Sequence, residues 1–119
     1  MYSITGVLRY YHTTCNLLLG RDLADYYRAL LPKAWYVKPP RTESHISVVR
    51  PFETPNMAFW RKYEQEKIAI NYWLPVMSDG CYFWLNCSSV RLEEIREELG
   101  LERHRIGGVF HITVGNLKD

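Results

Sequence analysis

The sequence predicts an α+β domain in which helices pack on a sheet. Its 119 residues suffice for one hydrophobic core and are too few for two. Its composition, 47% hydrophobic and 24% charged, is ordinary for a folded globular protein. Segments with strand-like and helix-like periodicity alternate along the chain, and no Gly/Ser-rich linker separates them. We therefore expect a single domain over residues 1–119.

The first half predicts two strands around a helix. "SITGVLRYY" is rich in β-branched and aromatic residues, as is typical of a strand. "RDLADYYRALL" predicts a helix that ends at Pro32, and its apolar side chains at helical spacing are Leu23, Tyr26, Tyr27, Leu30 and Leu31. The two prolines of "WYVKPPRTE" favour an extended segment leading into the strand "SHISVV".

The second half begins with a short helix predicted in "NMAFWRKYEQE", capped by Thr54 or Asn56. "KIAINYWL" and "CYFWLNC" predict strands, separated by "PVMSDG" with a turn at Asp79-Gly80.

The clearest helix, "SSVRLEEIREELGL", is expected to be capped by Ser88 or Ser89 and to end at Gly100; one face carries Leu92, Ile95 and Leu99. "GGVFHITVGNLKD" predicts the last strand, which we expect to end in a turn at Gly115 and Asn116, with positive φ at Gly115.

Charge and cysteine usage exclude several classes of protein. A formal net charge of +2 is too small to attract duplex DNA at long range. Three cysteines without a CxxC pair predict neither a disulfide framework nor a cysteine-rich zinc site. The N-terminus lacks a secretory pattern, and no apolar run has the length of a membrane span. We expect a cytoplasmic protein that does not bind membranes.

Two nearly identical phrases, "HISV" at 45–48 and "HITV" at 111–114, mark the candidate site. Residues two apart on a strand share a face, so His45 lies beside Ser47 and His111 beside Thr113, while the intervening apolar residues enter the core. An imidazole of ordinary pKa near 6.5 can remove or donate a proton near neutral pH, and a hydroxyl can bind phosphate oxygens. The pattern favours acid/base catalysis at a phosphate by His45 and His111.

The other two histidines are weaker candidates. "HTTC" also matches the spacing, but it is polar at Thr13 and follows a strand, so a role for His12 stays open. His104 has no hydroxyl partner and is expected in a solvated loop.

Basic and aromatic residues provide candidates for substrate binding. Arg50, at the end of the "HISVV" strand, is expected close to a phosphate at His45, and Arg41 precedes the same strand. Arg9 and Lys38 are further possibilities. Tyr36 and Trp84 are the preferred aromatic side chains for stacking a nucleobase, and Tyr10, Tyr11 and Trp73 are alternatives.

The paired motifs in "SHISVVRPFE" and "FHITVGNLKD" resemble those of the two-histidine (2H) phosphoesterase superfamily. "WRKYEQEKIAINYW" and "CYFWLNC" are similar to its small, phage-encoded, RNA-repair-like members. The resemblance implies antiparallel sheets in two pseudo-symmetric lobes, with helices packed outside and a central groove. It also implies catalysis by His45 and His111, phosphate binding by Ser47 and Thr113, and no metal or other cofactor. A phage-encoded member would act in the host cytoplasm.

The resemblance implies a phosphodiesterase acting on a cyclic nucleotide, a 2',3'-cyclic RNA end or a cyclic oligonucleotide messenger. The alternative is a nucleotide or RNA-end binding module with little catalysis. A metal-dependent hydrolase using both histidines and Glu43 or Glu53 is less well supported, because no metal-ligand spacing is present. The exact substrate, its biological context, the histidine that acts as the acid and the oligomeric state remain open.

Overall fold

The computed structural model describes residues 1–104 and 109–118. Its elements follow in the order β1 (Tyr2–Tyr10), β2 (Cys15–Gly20), α1 (Asp22–Ala29), β3 (Ser44–Val49), β4 (Lys67–Ser78), β5 (Tyr82–Ser88), α2 (Val90–Glu98) and β6 (Phe110–Asn116). Short 3-10 helices occupy Lys33–Trp35 and Met57–Phe59. The predicted α+β class is confirmed. Neither α-helix has the length and apolar character needed to cross a bilayer, and the same holds for every helix within the described ranges.

The six strands form one antiparallel sheet in the order β3-β2-β1-β4-β5-β6. Although β3 and β6 are the two ends of this order, Cα atoms of the two strands lie within 8 Å of one another. The sheet therefore curls into a nearly closed barrel. We call the open boundary between β3 and β6 the seam.

The chain repeats one arrangement of elements. β1-β2-α1-β3 and β4-β5-α2-β6 are both strand-strand-helix-strand units, and the pairing of β1 with β4 joins them at the centre of the sheet. Read outward from that pairing, the strand order is the same in both directions. β3 and β6 are consequently equivalent strands, one from each half of a single continuous sheet.

One face of the sheet forms the core, because side chains on a strand point alternately to its two faces and buried positions alternate with more exposed ones along the strands. Val48 and Val114 are fully buried, as are Ile46 and Ile112 beside them. The helix residues packed into the same cluster are Ala24, Tyr27, Leu92, Ile95 and Leu99. The predicted apolar face of α2 is confirmed. Its predicted cap is confirmed too, because Ser89 Oγ accepts from Leu92 N at 3.2 Å. The helix also ends at Gly100 as predicted, and the φ of this glycine is +78°.

Two predicted helices differ from the structure. In α1, Ala24 and Tyr27 are the buried residues, whereas Tyr26 and Leu30 are exposed. The helix predicted over "NMAFWRKYEQE" is reduced to its 3-10 turn, capped by Asn56, because Arg61 and Gln65 both adopt positive φ of 68°.

Strand assignments also need correction. β2 was not predicted, and β4 continues through Pro75 to Ser78 instead of ending before the proline. Its register with β5 is irregular between Trp73 and Met77, where Pro75 cannot donate to the ladder. The last strand extends to Asn116; Gly107, Gly108 and Asp119 of its predicted segment lie outside the described residues.

Gly115 does not form the expected turn with positive φ. It is buried within β6, and a Cβ built there would lie 2.5 Å from Val37 Cγ1 and 2.9 Å from Lys38 O. Glycine is therefore required by the close approach of residues 37–38, which pair with the end of β6 through hydrogen bonds of 2.8 and 3.0 Å between Lys38 and Asn116.

Candidate active site

The two histidines lie on the equivalent strands of the two halves. His45 and Ser47 are half-buried on the solvent-facing side of β3, and His111 and Thr113 occupy the same side of β6. The expected alternation is confirmed, because the intervening Ile46 and Ile112 are buried. Each half thus contributes one imidazole and one hydroxyl to the same side of the sheet.

Two adjoining cavities lie along this part of the sheet. The first, of about 410 Å³, includes His45, and we call it the His45 cavity. The second, of about 480 Å³, includes His111, and we call it the His111 cavity. Tyr82 and Thr113 belong to the walls of both. The cavities of the two histidines therefore have Tyr82 and Thr113 in common, next to the seam.

A backbone contact orients the His45 ring. Its Nδ1 lies 2.9 Å from the carbonyl oxygen of Glu43. A carbonyl can only accept, so Nδ1 carries the proton in this contact and Nε2 is the nitrogen left for exchange with a substrate.

His111 lies opposite Asn86 in the ladder of β5 and β6, and Trp84 lies opposite Thr113. The rings of Trp84 and His111 meet edge to face, with centroids 6.3 Å apart. Trp84 Nε1 donates to Asn86 Oδ1 at 3.1 Å, which fixes the indole in the wall of the His111 cavity. The predicted Trp84 is thus placed beside a catalytic candidate, with part of its ring available to a flat ligand.

The two predicted arginines occupy different cavities. Arg41 is exposed in the wall of the His45 cavity. Arg50 lines the His111 cavity, because β3 carries it about 16 Å beyond His45. The prediction placed Arg50 near His45, whereas the structure places it with the other histidine. Its Nε is buried and has no hydrogen-bond partner among the described residues.

Each helix supports the motif strand of the other half. Arg28, on α1, donates to the carbonyl of Val114 in β6 at 3.2 Å. Arg96, on α2, donates to the carbonyl of Val48 in β3 at 2.6 Å. Both hydrogen bonds are accepted by the last residue of a motif, so each motif strand is linked to the helix of the other half.

Several predicted residues lie elsewhere. Tyr36 is 81% exposed and lies outside both cavities, and Ser47, although on the same face as His45, is also absent from their walls. His12 lines a separate depression with Trp60, while His104 is an exposed residue 3.6 Å from Glu93. Of the alternative substrate-binding candidates, Tyr10 is buried in the core and Arg9 pairs with Glu64. Trp73 lies outside the walls of both cavities. Tyr11 lines a further depression, whose wall also includes His45.

Sequence reasoning did not identify Tyr82 and Lys118. Lys118 Nζ lies 5.3 Å from the centroid of the Tyr82 ring, and a hydrogen bond to Tyr82 raises the pKa of the lysine. Asp79 accepts from the backbone N–H of Tyr82 at 2.8 Å and of Cys81 at 2.9 Å, which lowers the pKa of its carboxyl. Alternation along β5 places Tyr82 on the face of Trp84, and this was the available signal.

The two carboxylates considered as metal ligands make other contacts. Glu53 pairs with Arg96 at 2.7 Å, and Glu43 accepts from the backbone N–H of Gly20 at 3.1 Å. Within residues 1–104 and 109–118, no group of three or more His, Cys, Asp and Glu side chains is arranged to hold a metal ion.

Comparisons with known proteins assign no family to this chain. No protein-family model matches it, and no match was found among curated proteins or solved structures. The interpretation of the site therefore depends on its residues and their arrangement.

Proposed function

We propose that this protein is a metal-independent phosphodiesterase that hydrolyses a cyclic nucleotide, a 2',3'-cyclic RNA end or a cyclic oligonucleotide by paired-histidine catalysis. The observation that supports this best is the placement of His45 and His111 on equivalent strands, in cavities that share Thr113. The two halves then correspond to the pseudo-symmetric lobes of a 2H phosphoesterase, and the seam to its central groove.

The reaction requires one neutral and one protonated imidazole. The neutral ring takes a proton from water as the water oxygen bonds to phosphorus. The protonated ring gives its proton to the departing ribose oxygen as the P–O bond breaks, leaving a phosphomonoester and a hydroxyl. The Nδ1 contact of His45 leaves Nε2 for this exchange in either role. Such a pair gives a bell-shaped dependence of rate on pH.

Negative charge grows on the non-bridging oxygens as phosphorus becomes five-coordinate. Thr113, in the wall of both cavities, supplies a hydroxyl donor for these oxygens. Arg50, in the wall of the His111 cavity, supplies a guanidinium that can donate to the same oxygens. Trp84 offers a stacking surface for a nucleobase beside His111.

The test is hydrolysis in the presence of EDTA. Substrates are 2',3'-cyclic nucleotides, RNA with a 2',3'-cyclic end, and 3',5'-cyclic dinucleotides. The native protein is compared with His45→Ala, His111→Ala and the control His104→Ala, which removes an exposed histidine outside the two cavities. Products are separated by chromatography, and circular dichroism verifies that each variant is folded.

We expect turnover by the native protein and by His104→Ala. Each of the other substitutions should lower kcat by about 10²- to 10⁴-fold, the usual contribution of one acid or base. Turnover that survives both substitutions would disprove the assignment of the site. Tight binding without turnover by the native protein would instead support a nucleotide or RNA-end binding module.

A further inference from the structure

The His45 cavity concentrates positive charge. Lys38, Arg41 and Lys118 all lie in its wall, and none of its described lining residues is acidic. Lys38 Nζ donates to the backbone carbonyl of Lys118, which connects the segment before β3 to the end of the chain. These three cations are separate from Arg50, which lies in the neighbouring cavity.

Among the described residues, the same three cations lack the ion pairs that many of the other basic side chains form. Within the described parts of the chain, Lys38, Arg41 and Lys118 form no ion pair with a carboxylate. Seven other basic residues do, namely Arg9, Arg28, Arg61, Lys62, Arg91, Arg96 and Arg103. The charge of the His45 cavity is therefore available to an anion.

The backbone holds this charge in place. Lys38 and Arg41 are separated only by Pro39 and Pro40, whose rings fix φ and restrict the preceding residues to extended conformations. Lys38 is further fixed by its two backbone hydrogen bonds to Asn116, of 2.8 and 3.0 Å. An anion bound here would meet cations whose backbone is already ordered, which lowers the entropy cost of binding.

The scissile phosphodiester carries a single negative charge, and Arg50 with one protonated histidine already supplies two positive charges. Three additional cations next to the shared Thr113 indicate a second anion on the same molecule. We infer that Lys38, Arg41 and Lys118 form a subsite for a second phosphate, so that the substrate is an oligonucleotide and not a cyclic mononucleotide. This inference rests on the proposed function for the position of the scissile phosphate.

The test compares two dinucleotides that differ only in charge. ApA with a 2',3'-cyclic phosphate end is prepared with a normal internal phosphodiester and with a neutral methylphosphonate linkage. KM is measured for the native protein, Arg41→Gln, Lys118→Gln and the control Lys67→Gln. Lys67 is an exposed residue of β4 outside both cavities, so its substitution changes net charge equally.

In the native protein and in Lys67→Gln, the neutral linkage should raise KM about 5- to 20-fold, the size expected for a charge-assisted contact near the surface. In Arg41→Gln and Lys118→Gln the ratio of the two KM values should fall to about 2-fold or less, because the charge of the linkage matters only when the cation that contacts it is present. If Arg41→Gln and Lys118→Gln raise KM equally for both dinucleotides, or for neither, the assignment of the subsite is wrong.

Failure of the proposed function is detected separately. If neither dinucleotide is hydrolysed, binding is measured instead by titration calorimetry. The two ligands are ApA with a 3'-phosphate end, one with the normal internal phosphodiester and one with the methylphosphonate linkage. Their dissociation constants give the coupling between the charge of the linkage and each cation. A charge preference that depends on Arg41 would then support the subsite without catalysis. Equal binding of the two linkages by the native protein would overturn it.

Discussion

Arg28 and Arg96 are counterparts in the two halves, each being the seventh residue of its helix and each donating to the carbonyl of a motif valine in the other half. Their surroundings differ. Arg96 is 1% exposed and forms two further hydrogen bonds to Glu53, at 2.7 and 3.0 Å, and one to Glu102 O at 2.8 Å. Arg28 pairs with the more exposed Asp25. The strand carrying His45 is therefore held by a buried ion pair, and the strand carrying His111 by a partly solvated one.

This difference predicts unequal losses of stability. Arg96→Met should lower the free energy of unfolding by about 3–5 kcal/mol, because it removes the guanidinium that pairs with the largely buried Glu53 carboxylate. Arg28→Met should cost about 1 kcal/mol, because Asp25 remains solvated. Urea denaturation of both variants measures the difference. Equal losses of stability in the two variants would contradict the conclusion that burial of the Arg96 ion pair causes the difference.

Gly115→Ala should disturb the His45 cavity through the backbone. The new Cβ would overlap Val37 Cγ1 and crowd Lys38 O, pushing residues 37–38 away from β6. We expect a loss of about 1–3 kcal/mol in stability, as for other overpacked sites, together with weaker binding of substrate. Adding Val37→Ala should restore part of the stability, because it removes the closest of the contacts that the new Cβ would make. Denaturation of the single and double variants tests this, and an unperturbed Gly115→Ala protein would contradict it.

Trp84→Leu should weaken nucleotide binding while leaving the histidines in place. Loss of one aromatic stacking surface is worth about 1–3 kcal/mol, so KM should rise about 5- to 150-fold with a smaller change in kcat. Trp73→Leu is the matched control, since Trp73 is a partly exposed residue outside the cavity walls. A similar effect of both substitutions on KM would show that Trp84 has no special role.

The turn that positions Tyr82 should be sensitive to acid. Backbone N–H groups of Tyr82 and Cys81 stabilise ionised Asp79 and hold its pKa below the ordinary value of 3.8. Because the folded pKa is the lower one, these hydrogen bonds stabilise the turn fully above the ordinary pKa, and the stabilisation is lost as pH falls through the folded value. An NMR titration of the Asp79 carboxyl carbon should give a pKa below 3.8, and Asp79→Asn should remove the corresponding shift of the Tyr82 amide. A titration at the ordinary value would contradict this contact.

Local patterns predicted the orientation of the candidate site residues well. Two-residue alternation placed His45 with Ser47 and His111 with Thr113, opposite the buried Ile46 and Ile112. This works because side-chain direction on a strand is fixed by the backbone itself.

What local patterns could not give was the arrangement in space. Arg50 follows His45 in sequence but lines the cavity of His111, because the sheet curls and brings the end of β3 near β6. β2 was missed because the consecutive leucines of "CNLLLG" have no two-residue alternation. Gly115 was misinterpreted because the close approach of Val37 is a tertiary contact with no signal in the neighbouring residues.

The exchange of supporting arginines between the two halves has a consequence for how the fold can be divided. A chain cut between Gln65 and Lys67 would separate each motif strand from the helix that carries its arginine, so neither fragment would contain a fully supported histidine strand. Mixing the two fragments would restore both contacts at once. Complementation between them, with recovery of the native fold only when both are present, is therefore the behaviour that this reciprocal arrangement implies.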